Sequence, residues 1–491
     1  MDLGDIDLRY VLFPLVGLLS VLILSQFLGG CDPELTEEVA SNVTSAVAEQ
    51  VVGQEEGNAD LTALRRDAAR LESVEVYVDR SLSMKPYITN PQQSGLYRLL
   101  NRLGNFVNSE TSFYGFGFPN GEGEPQEVKR ISPLKLKQAS AYTFANNDYG
   151  RLLQRFSKGE TTNLIVTDGV QSDPKSKAQL GGVLEAIDEW IRSGGSFATL
   201  IYETEYHGQY YSDLPGKDPV YNCSNRPLTT FVLGRSPSAI NDLIGRFGSD
   251  LRPDHMVRLG GNTLPMAPAK QAISTDEARP GTRVLQGTEE YILEDYRQVF
   301  RASIAPASAN KNGFVPLQFE AEASRSQYPW KGLGEEGIRT FLRNLEPQVQ
   351  VFAINPERIE QINSKSRQKA ASVPPLLPEA SKADTLLRWG QIQTQKMSVP
   401  QIRVTGDTVQ ARFEIPARRP QAKLKTPFYA LLVRFRVTPQ AARMLIPDRY
   451  STDNDLDPSN CGQIYKLQQF VGTIMRRNYA PAQALLLTEW H

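Results

Sequence analysis

From residue 74 onward the chain switches period at short intervals. Runs rich in β-branched and aromatic residues alternate with segments whose apolar residues recur at i, i+3, i+4 and i+7, the spacing that lines one face of a helix. Residues 74–78 and 112–117 read as strands, and between them Leu96, Leu99, Leu100 and Leu103 mark a helix opening near Ser94. Tyr149, Leu152, Leu153 and Phe156 mark the next helix. Residues 163–167, NLIVT, are almost continuously apolar, as a strand buried on both faces must be. Leu180, Val183, Leu184, Ile187 and Ile191 follow on a helix that Gly194-Gly195 stops. Residues 197–202 and 230–233 add strands, and Ser236-Pro237 supplies an N-cap and a first-turn proline to a helix carrying Ile240, Leu243, Ile244 and Phe247. Strands alternating with helices predict an α/β unit over residues 73–260, a doubly wound, mostly parallel sheet.

Composition removes several functional classes. With 54 Lys+Arg against 55 Asp+Glu the net charge is -1, which argues against a general polyanion binder, so no nucleic acid partner is expected. Three cysteines are too few for a disulfide scaffold, and His207, His255 and His491 are too scattered for a histidine-built zinc site. No phosphate-cradling Walker loop, no G-x-G-x-x-G after a strand, no H-E-x-x-H and no nucleophile elbow occurs, so the chain does not read as an enzyme.

In open α/β sheets ligands sit outside the carboxyl ends of the strands. Two polar motifs fall there: Asp79-Arg80-Ser81-Leu82-Ser83 after the first strand and Thr167-Asp168-Gly169 at the end of NLIVT. Ser81 and Ser83, two residues apart on one loop, can both turn a hydroxyl toward one hard cation such as Mg²⁺, which wants six oxygens and keeps several waters. Asp79 and Asp168 can hydrogen-bond those waters or bind the ion directly. This pair of motifs resembles the von Willebrand factor A (VWA) domain and its metal-ion-dependent adhesion site, D-x-S-x-S after one strand and T-D-G after another. The resemblance covers about residues 73–260. It implies a Rossmann-like fold and a bound Mg²⁺ (or Mn²⁺ or Ca²⁺) held mainly by neutral hydroxyls. Such an under-neutralised ion takes a Glu or Asp from a partner protein. The family also uses a threonine from a middle loop, and Thr143, just ahead of a helix, stands in that position without the usual preceding glycines. Thr161 and Thr162 compete for the role, but on the strand of Asp168 they lie about 20 Å away at roughly 3.3 Å per residue. Without a metal, the same loop is a polar turn whose side chains bond its own backbone.

The N-terminus reads as an address. Residues 10–28 are apolar and uncharged, and Leu28-Gly29-Gly30-Cys31 resembles a bacterial lipobox, which implies lipidation of Cys31. The leading segment departs from a signal peptide, since Arg9 is its one basic side chain among Asp2, Asp5 and Asp7. The alternative is an uncleaved membrane helix, nineteen residues being nearly enough to span a roughly 30 Å hydrocarbon core. Either reading of 1–31 anchors the chain in a membrane with the remainder extracytoplasmic, in a bacterial cell envelope. Residues 32–72 follow as a tether, with eight acids and no Lys or Arg between 32 and 64.

Residues 261–283, rich in Pro, Gly and Ala, read as a linker. Beyond it the period becomes two: Leu317, Phe319, Ala321 and Ala323 alternate with Gln318, Glu320 and Glu322. Residues 349–354 and 428–437 are further strands, Gly406-Asp407 is a hairpin turn between 402–405 and 408–413, and helices are expected at 337–344, 383–393 and 467–477. Residues 284–491 are thus a β-rich α+β domain. Arg434 and Arg436 alternate with apolar residues and read as a solvent face. Asp453-Asn454-Asp455-Leu456-Asp457 begins like a calcium loop but has Pro458 where the turn glycine belongs and Ile464 where the closing glutamate belongs. If Cys31 is lipidated, Cys223 and Cys461 remain, and an oxidising compartment permits a disulfide between them.

These readings converge on a membrane-anchored adaptor that captures an acidic residue of a partner protein through a divalent metal. The alternatives are a Mg²⁺-dependent hydrolase or phosphotransferase built on the Asp79 and Asp168 loops, for which no nucleophile or general base stands out, and a structural envelope protein whose metal site is dead.

Overall fold

The computed structural model describes residue 47 and most of residues 71–490, the longest stretches outside the description being 269–284 and 356–386. The anchor segment, Cys31 and the tether other than Val47 and Leu71 lie outside the described residues. Among the described residues no helix is long and apolar enough to cross a membrane.

The N-terminal half is a seven-stranded sheet. Its strands are β1 (Ser73–Asp79), β2 (Glu110–Gly117), β3 (Glu127–Arg130), β4 (Thr162–Thr167) and β5 (Ser196–Tyr202), then, after a hairpin of β6 (Glu205–Tyr210) and β7 (Tyr221–Asn225), β8 (Leu228–Gly234) and β9 (His255–Leu259). The order is β3-β2-β1-β4-β8-β5-β9. Helices α1 (Gly95–Gly104), α2 (Pro133–Leu136), α3 (Tyr149–Leu153), α4 (Gln179–Arg192) and α5 (Pro237–Phe247) alternate with them. Ser94 and Ser236 cap α1 and α5, their hydroxyls accepting from the backbone N–H of Tyr97 and Ala239 at 3.0 and 3.1 Å.

Both faces of the sheet are covered. Val74, Val76 and Val78 of β1 pack with Leu96, Leu99, Leu100 and Leu103 of α1 and with Ile240, Leu243 and Phe247 of α5. Tyr77 and Ile165 face the other way, toward α3 and α4. Each fully buried leucine of α1 contributes roughly 1.5–3 kcal/mol. The sheet is mixed: β1, β2, β4 and β5 share one direction, while β8 enters antiparallel between β4 and β5 and β9 pairs antiparallel with β5. The reason is the connection. β5 returns to β8 through a hairpin, and only a crossover, commonly helical, returns a chain parallel. Helix α5 is such a crossover, carrying β8 over β5 to β9.

The C-terminal half contains two larger sheets. In chain order its strands are β10 (Met266–Pro268), β11 (Leu285–Tyr291), β12 (Val299–Ile304), β13 (Phe314–Ser324), β14 (Leu345–Ile354), β15 (Leu387–Thr394), β16 (Gln401–Thr405), β17 (Thr408–Arg418), β18 (Phe428–Val437), β19 (Ser451–Thr452), β20 (Ile464–Tyr465) and β21 (Ala482–Trp490). One sheet runs β10-β13-β17-β16 and the other β11-β12-β21-β18-β14-β15, while β19 and β20 form a short parallel pair. The alternation read in β13 holds: Leu317, Phe319, Ala321 and Ala323 are buried while Glu320 and Glu322 are exposed. Gly406 takes φ +58 in the two-residue turn between β16 and β17. Helices α6 (Glu335–Arg343), α7 (Pro439–Met444) and α8 (Leu467–Asn478) complete the half.

Three expectations are corrected. The stretch 383–393 contributes strand, not helix, because β15 pairs antiparallel with β14, and sheet pairing overrides a weak local preference. Arg434 is buried, not on a solvent face, because β18 is central in its sheet; it lies in register between Gln348 and Gln483, and its Nη2 donates to Gln350 Oε1 at 3.2 Å. Residues 266–268, inside the expected linker, pair with β13. The halves also share one apolar cluster: Ile187 and Trp190 of α4 belong with Phe470, Ile474 and Met475 of α8. Arg477 of α8 donates to the buried Asp188 of α4 at 2.8 Å.

Candidate functional site

β1 and β4 are parallel neighbours with Val78 opposite Val166, so Asp79 and Thr167 end their strands at one level and Asp168 follows at once. Asp79 and Asp168 are both fully buried. Asp79 Oδ1 accepts the Ser81 backbone N–H at 2.8 Å, which folds the loop back over the strand end. Its Oδ2 accepts from Asn147 Nδ2 at 2.6 Å, from the Tyr149 hydroxyl at 3.2 Å and from Thr167 Oγ1 at 3.3 Å. The Tyr149 and Thr167 hydroxyls are hydrogen-bonded to each other, and the Gly169 N–H donates to Thr167 Oγ1 at 3.1 Å. Ser81 and Ser83, both buried, bring their hydroxyl oxygens within 2.9 Å.

The loop is tied down from the side. The Leu82 N–H donates to the Phe144 carbonyl at 2.9 Å and the Phe144 N–H to the Arg80 carbonyl at 3.0 Å, laying residue 144 beside residue 81. Arg80 reaches the Ala141 carbonyl at 2.8 Å and covers the Phe144 ring. Gly115 leaves it the room, since a Cβ there would run into Arg80 Cδ.

Burial, and then the charge of Asp168, push the Asp79 carboxyl up to about 7; hydrogen bonds from Ser81 and Tyr149 act in the opposite direction. Near neutral pH the Asp79 carboxyl is therefore partly protonated. A fully buried guanidinium stands close by. Arg226, in the turn between β7 and β8, donates to the Asp168 carbonyl at 3.4 Å and to the Gln463 carbonyl at 3.2 Å, and covers the Tyr210 ring. Burial opposes its charge, but Tyr210, Tyr87 and Asp168 outweigh that and raise its pKa, so it stays protonated.

Asp79, Ser81, Ser83 and Asp168 thus come together. Thr143 does not join them: it is exposed between the buried Tyr142 and Phe144, and among the described hydrogen bonds none links it to Asp79 or Asp168. Asn147 is the middle-loop side chain that reaches Asp79. Thr162 sits opposite Val74, near the far end of the strand from Asp168. Sequence reading missed Asn147, Tyr149 and Arg226. The available signal was the Asn147-Asp148-Tyr149 run, in which Asp148 caps α3 by accepting the Arg151 N–H at 3.1 Å and so aims its neighbours at the strand ends. Arg226 gave no signal. In the calcium-like loop, Asp457 Oδ1 accepts the Ser459 N–H and hydroxyl at 2.9 and 2.7 Å, an ordinary turn.

A hard divalent cation fits this donor set: two buried carboxylates, one with its proton affinity raised, and two hydroxyls in contact. Among the described residues no group of three or more His, Cys, Asp or Glu gathers. No protein-family model, no curated protein and no solved structure matches the chain.

Proposed function

We propose that this chain is a membrane-anchored, extracytoplasmic protein-binding adaptor of the VWA type. Asp79, Ser81, Ser83 and Asp168 would hold a Mg²⁺, or Mn²⁺ or Ca²⁺, and the site would receive a Glu or Asp of a partner protein. The observation that carries the reading is the buried Asp79–Asp168 pair at the ends of adjacent parallel strands, with the Ser81 and Ser83 hydroxyls in contact beside it. Bound there, the ion supplies an electrophilic centre for a carboxylate. The chain's own residues set its strength: Asn147, Tyr149 and Thr167 hydrogen-bond Asp79, keep it in place and draw off part of its charge. Ser81 and Ser83 are neutral and leave the ion positive. None of these residues performs a bond-breaking step, and the reading is one of binding. A lipid on Cys31 or the apolar segment 10–28 would supply the anchor.

The buried Arg226 supports a second reading, a structural envelope protein whose acidic pair is balanced by an internal cation. Calorimetric titration of Mg²⁺ and Mn²⁺ into the full chain, beside Ser81→Ala/Ser83→Ala, separates the two. Saturable binding lost in the variant is expected. Binding absent from both, in folded protein, would leave the structural reading.

A further inference from the structure

Residues 461–465 belong to the C-terminal half, yet three of their contacts reach the first half, two of them at the Asp168 loop. Cys461 is joined by a disulfide to Cys223 of β7, with Cα atoms 5.8 Å apart and 238 residues between them in sequence. The Gln463 carbonyl accepts from Arg226 Nη1 at 3.2 Å, while Nη2 of that guanidinium donates to the Asp168 carbonyl at 3.4 Å. Ile464, itself buried, lies so near Gly169 that a Cβ there would meet Ile464 Cγ2 at 2.8 Å. Asp79, Ser81, Ser83 and Asp168 are all buried.

The segment is tied to its own half at one end and locally at the other: Ile464 and Tyr465 pair with Ser451 and Thr452 and Gln463 Nε2 donates to the Asp448 carbonyl at 3.1 Å, while the Gln463 N–H donates to the Asn460 carbonyl at 2.9 Å and the Cys461 N–H to the Pro458 carbonyl at 3.3 Å. At its junction with α8, Lys466 takes φ +53, the one non-glycine residue with positive φ among the described residues, and is held by an N–H bond to the Thr452 carbonyl at 2.7 Å. Strain of this kind persists where surrounding contacts impose it, and it marks a place where the backbone relaxes when they are released.

We infer that residues 461–465 are a redox-latched cap over the candidate site, closed while the Cys223–Cys461 disulfide is intact and opened by a dithiol reductant. This rests on the metal-site reading for what the cap controls. Cys461 is the more exposed of the two cysteines, so the reductant's thiolate attacks its sulfur. The S–S bond breaks, Cys223 leaves as a thiolate and takes up a proton, and the reductant's second thiol resolves the mixed disulfide. Two electrons pass to the protein, which gains two thiols, and the reductant ends as a disulfide. What then holds residues 461–465 against the Asp168 loop is one Arg226–Gln463 hydrogen bond and the Ile464–Gly169 contact, neither covalent, while β19 and Asp448 hold the segment to its own half. An oxidising compartment keeps the cap shut by default.

The test is hydrogen–deuterium exchange on the full chain in detergent, with and without dithiothreitol, beside the Cys223→Ser/Cys461→Ser variant. On reduction, exchange in peptides covering 461–466 and 166–169 is expected to quicken roughly tenfold or more, with the β1 peptide unchanged and the variant behaving as the reduced chain. Unchanged exchange at 461–466 would overturn the latch. Faster exchange at 461–466 alone would overturn the cap, and loss of protection in β1 as well would make the disulfide a general staple. Mn²⁺ titration of the same samples keeps the two readings apart: no binding in either redox state sinks the metal site, while the exchange result still decides the cap.

Discussion

Ile464 rests on the bare Cα of Gly169, which holds φ +81 beside the Asp168 carboxylate. Gly169→Ala introduces both a left-handed alanine and a clash with Ile464 Cγ2. Together these should cost about 2–4 kcal/mol in urea unfolding. In the double variant with Ile464→Ala the clash is removed and the backbone term stays, so a coupling energy of about 0.5–3 kcal/mol is expected. Strict additivity would mean that the two halves do not meet at this point.

Arg226 is a buried cation whose loss removes two hydrogen bonds to carbonyls and a positive charge beside Asp168. Arg226→Leu should destabilise by about 3–5 kcal/mol, as removal of one member of a buried charged set does. Adding Asp168→Asn should recover part of that loss. If Arg226 supports the fold through its bulk alone, Asp168→Asn will recover nothing, and thermal unfolding of the three variants decides it.

The Asp79 carboxyl carries a pH signature. Its folded pKa, about 7, lies above the ordinary 3.8, so between these values the native state binds more protons than the unfolded one. Its contribution to stability therefore falls as pH rises from about 4 to 7, by up to about 1.4 kcal/mol per unit, and the penalty is complete above pH 7. A bound cation offsets that penalty, so stabilisation by Mg²⁺ should be larger at pH 8 than at pH 5.5. Chemical unfolding of chelated protein at several pH values checks this, with Asp79→Asn expected to flatten the slope. An equal slope in wild type and variant assigns it to another group.

How much of this was legible in the sequence depends on distance along the chain. The NLIVT strand is buried along its whole length, and the leucine face of α1 lies where its spacing puts it, because period is a local property. That Asp79 and Asp168 stand at strand ends follows from the same pattern, but that those two strands are neighbours does not. The antiparallel entry of β8 was not legible, since strand direction is set by the hairpin that precedes it and by the partners waiting on either side. Arg434 reads as a surface residue along its own strand and is buried only because β14 and β21 flank it. Arg226 and Gln463 are 237 residues apart, and nothing local to either announces the other. At the site, the loop residues that close on the aspartates were legible in kind but not in identity. Tyr149 reads as helix core by spacing, yet its hydroxyl reaches Asp79.

The boundary between the halves makes a last prediction. α4 and α8 bury Ile187, Trp190, Phe470 and Ile474 in one cluster, the Phe470 ring lies tilted against Phe231 of the first sheet with centroids 5.6 Å apart, and Arg477 pairs with the buried Asp188. Neither half can open without exposing apolar surface on the other, so the two should unfold in a single transition, with tryptophan fluorescence and far-ultraviolet circular dichroism superimposing. Phe470→Ala should cost about 3–5 kcal/mol and shift both signals equally. A plateau between two transitions, with only the second sensitive to Asp79→Asn, would instead mean that the helices of the C-terminal half lean on a unit that stands without them.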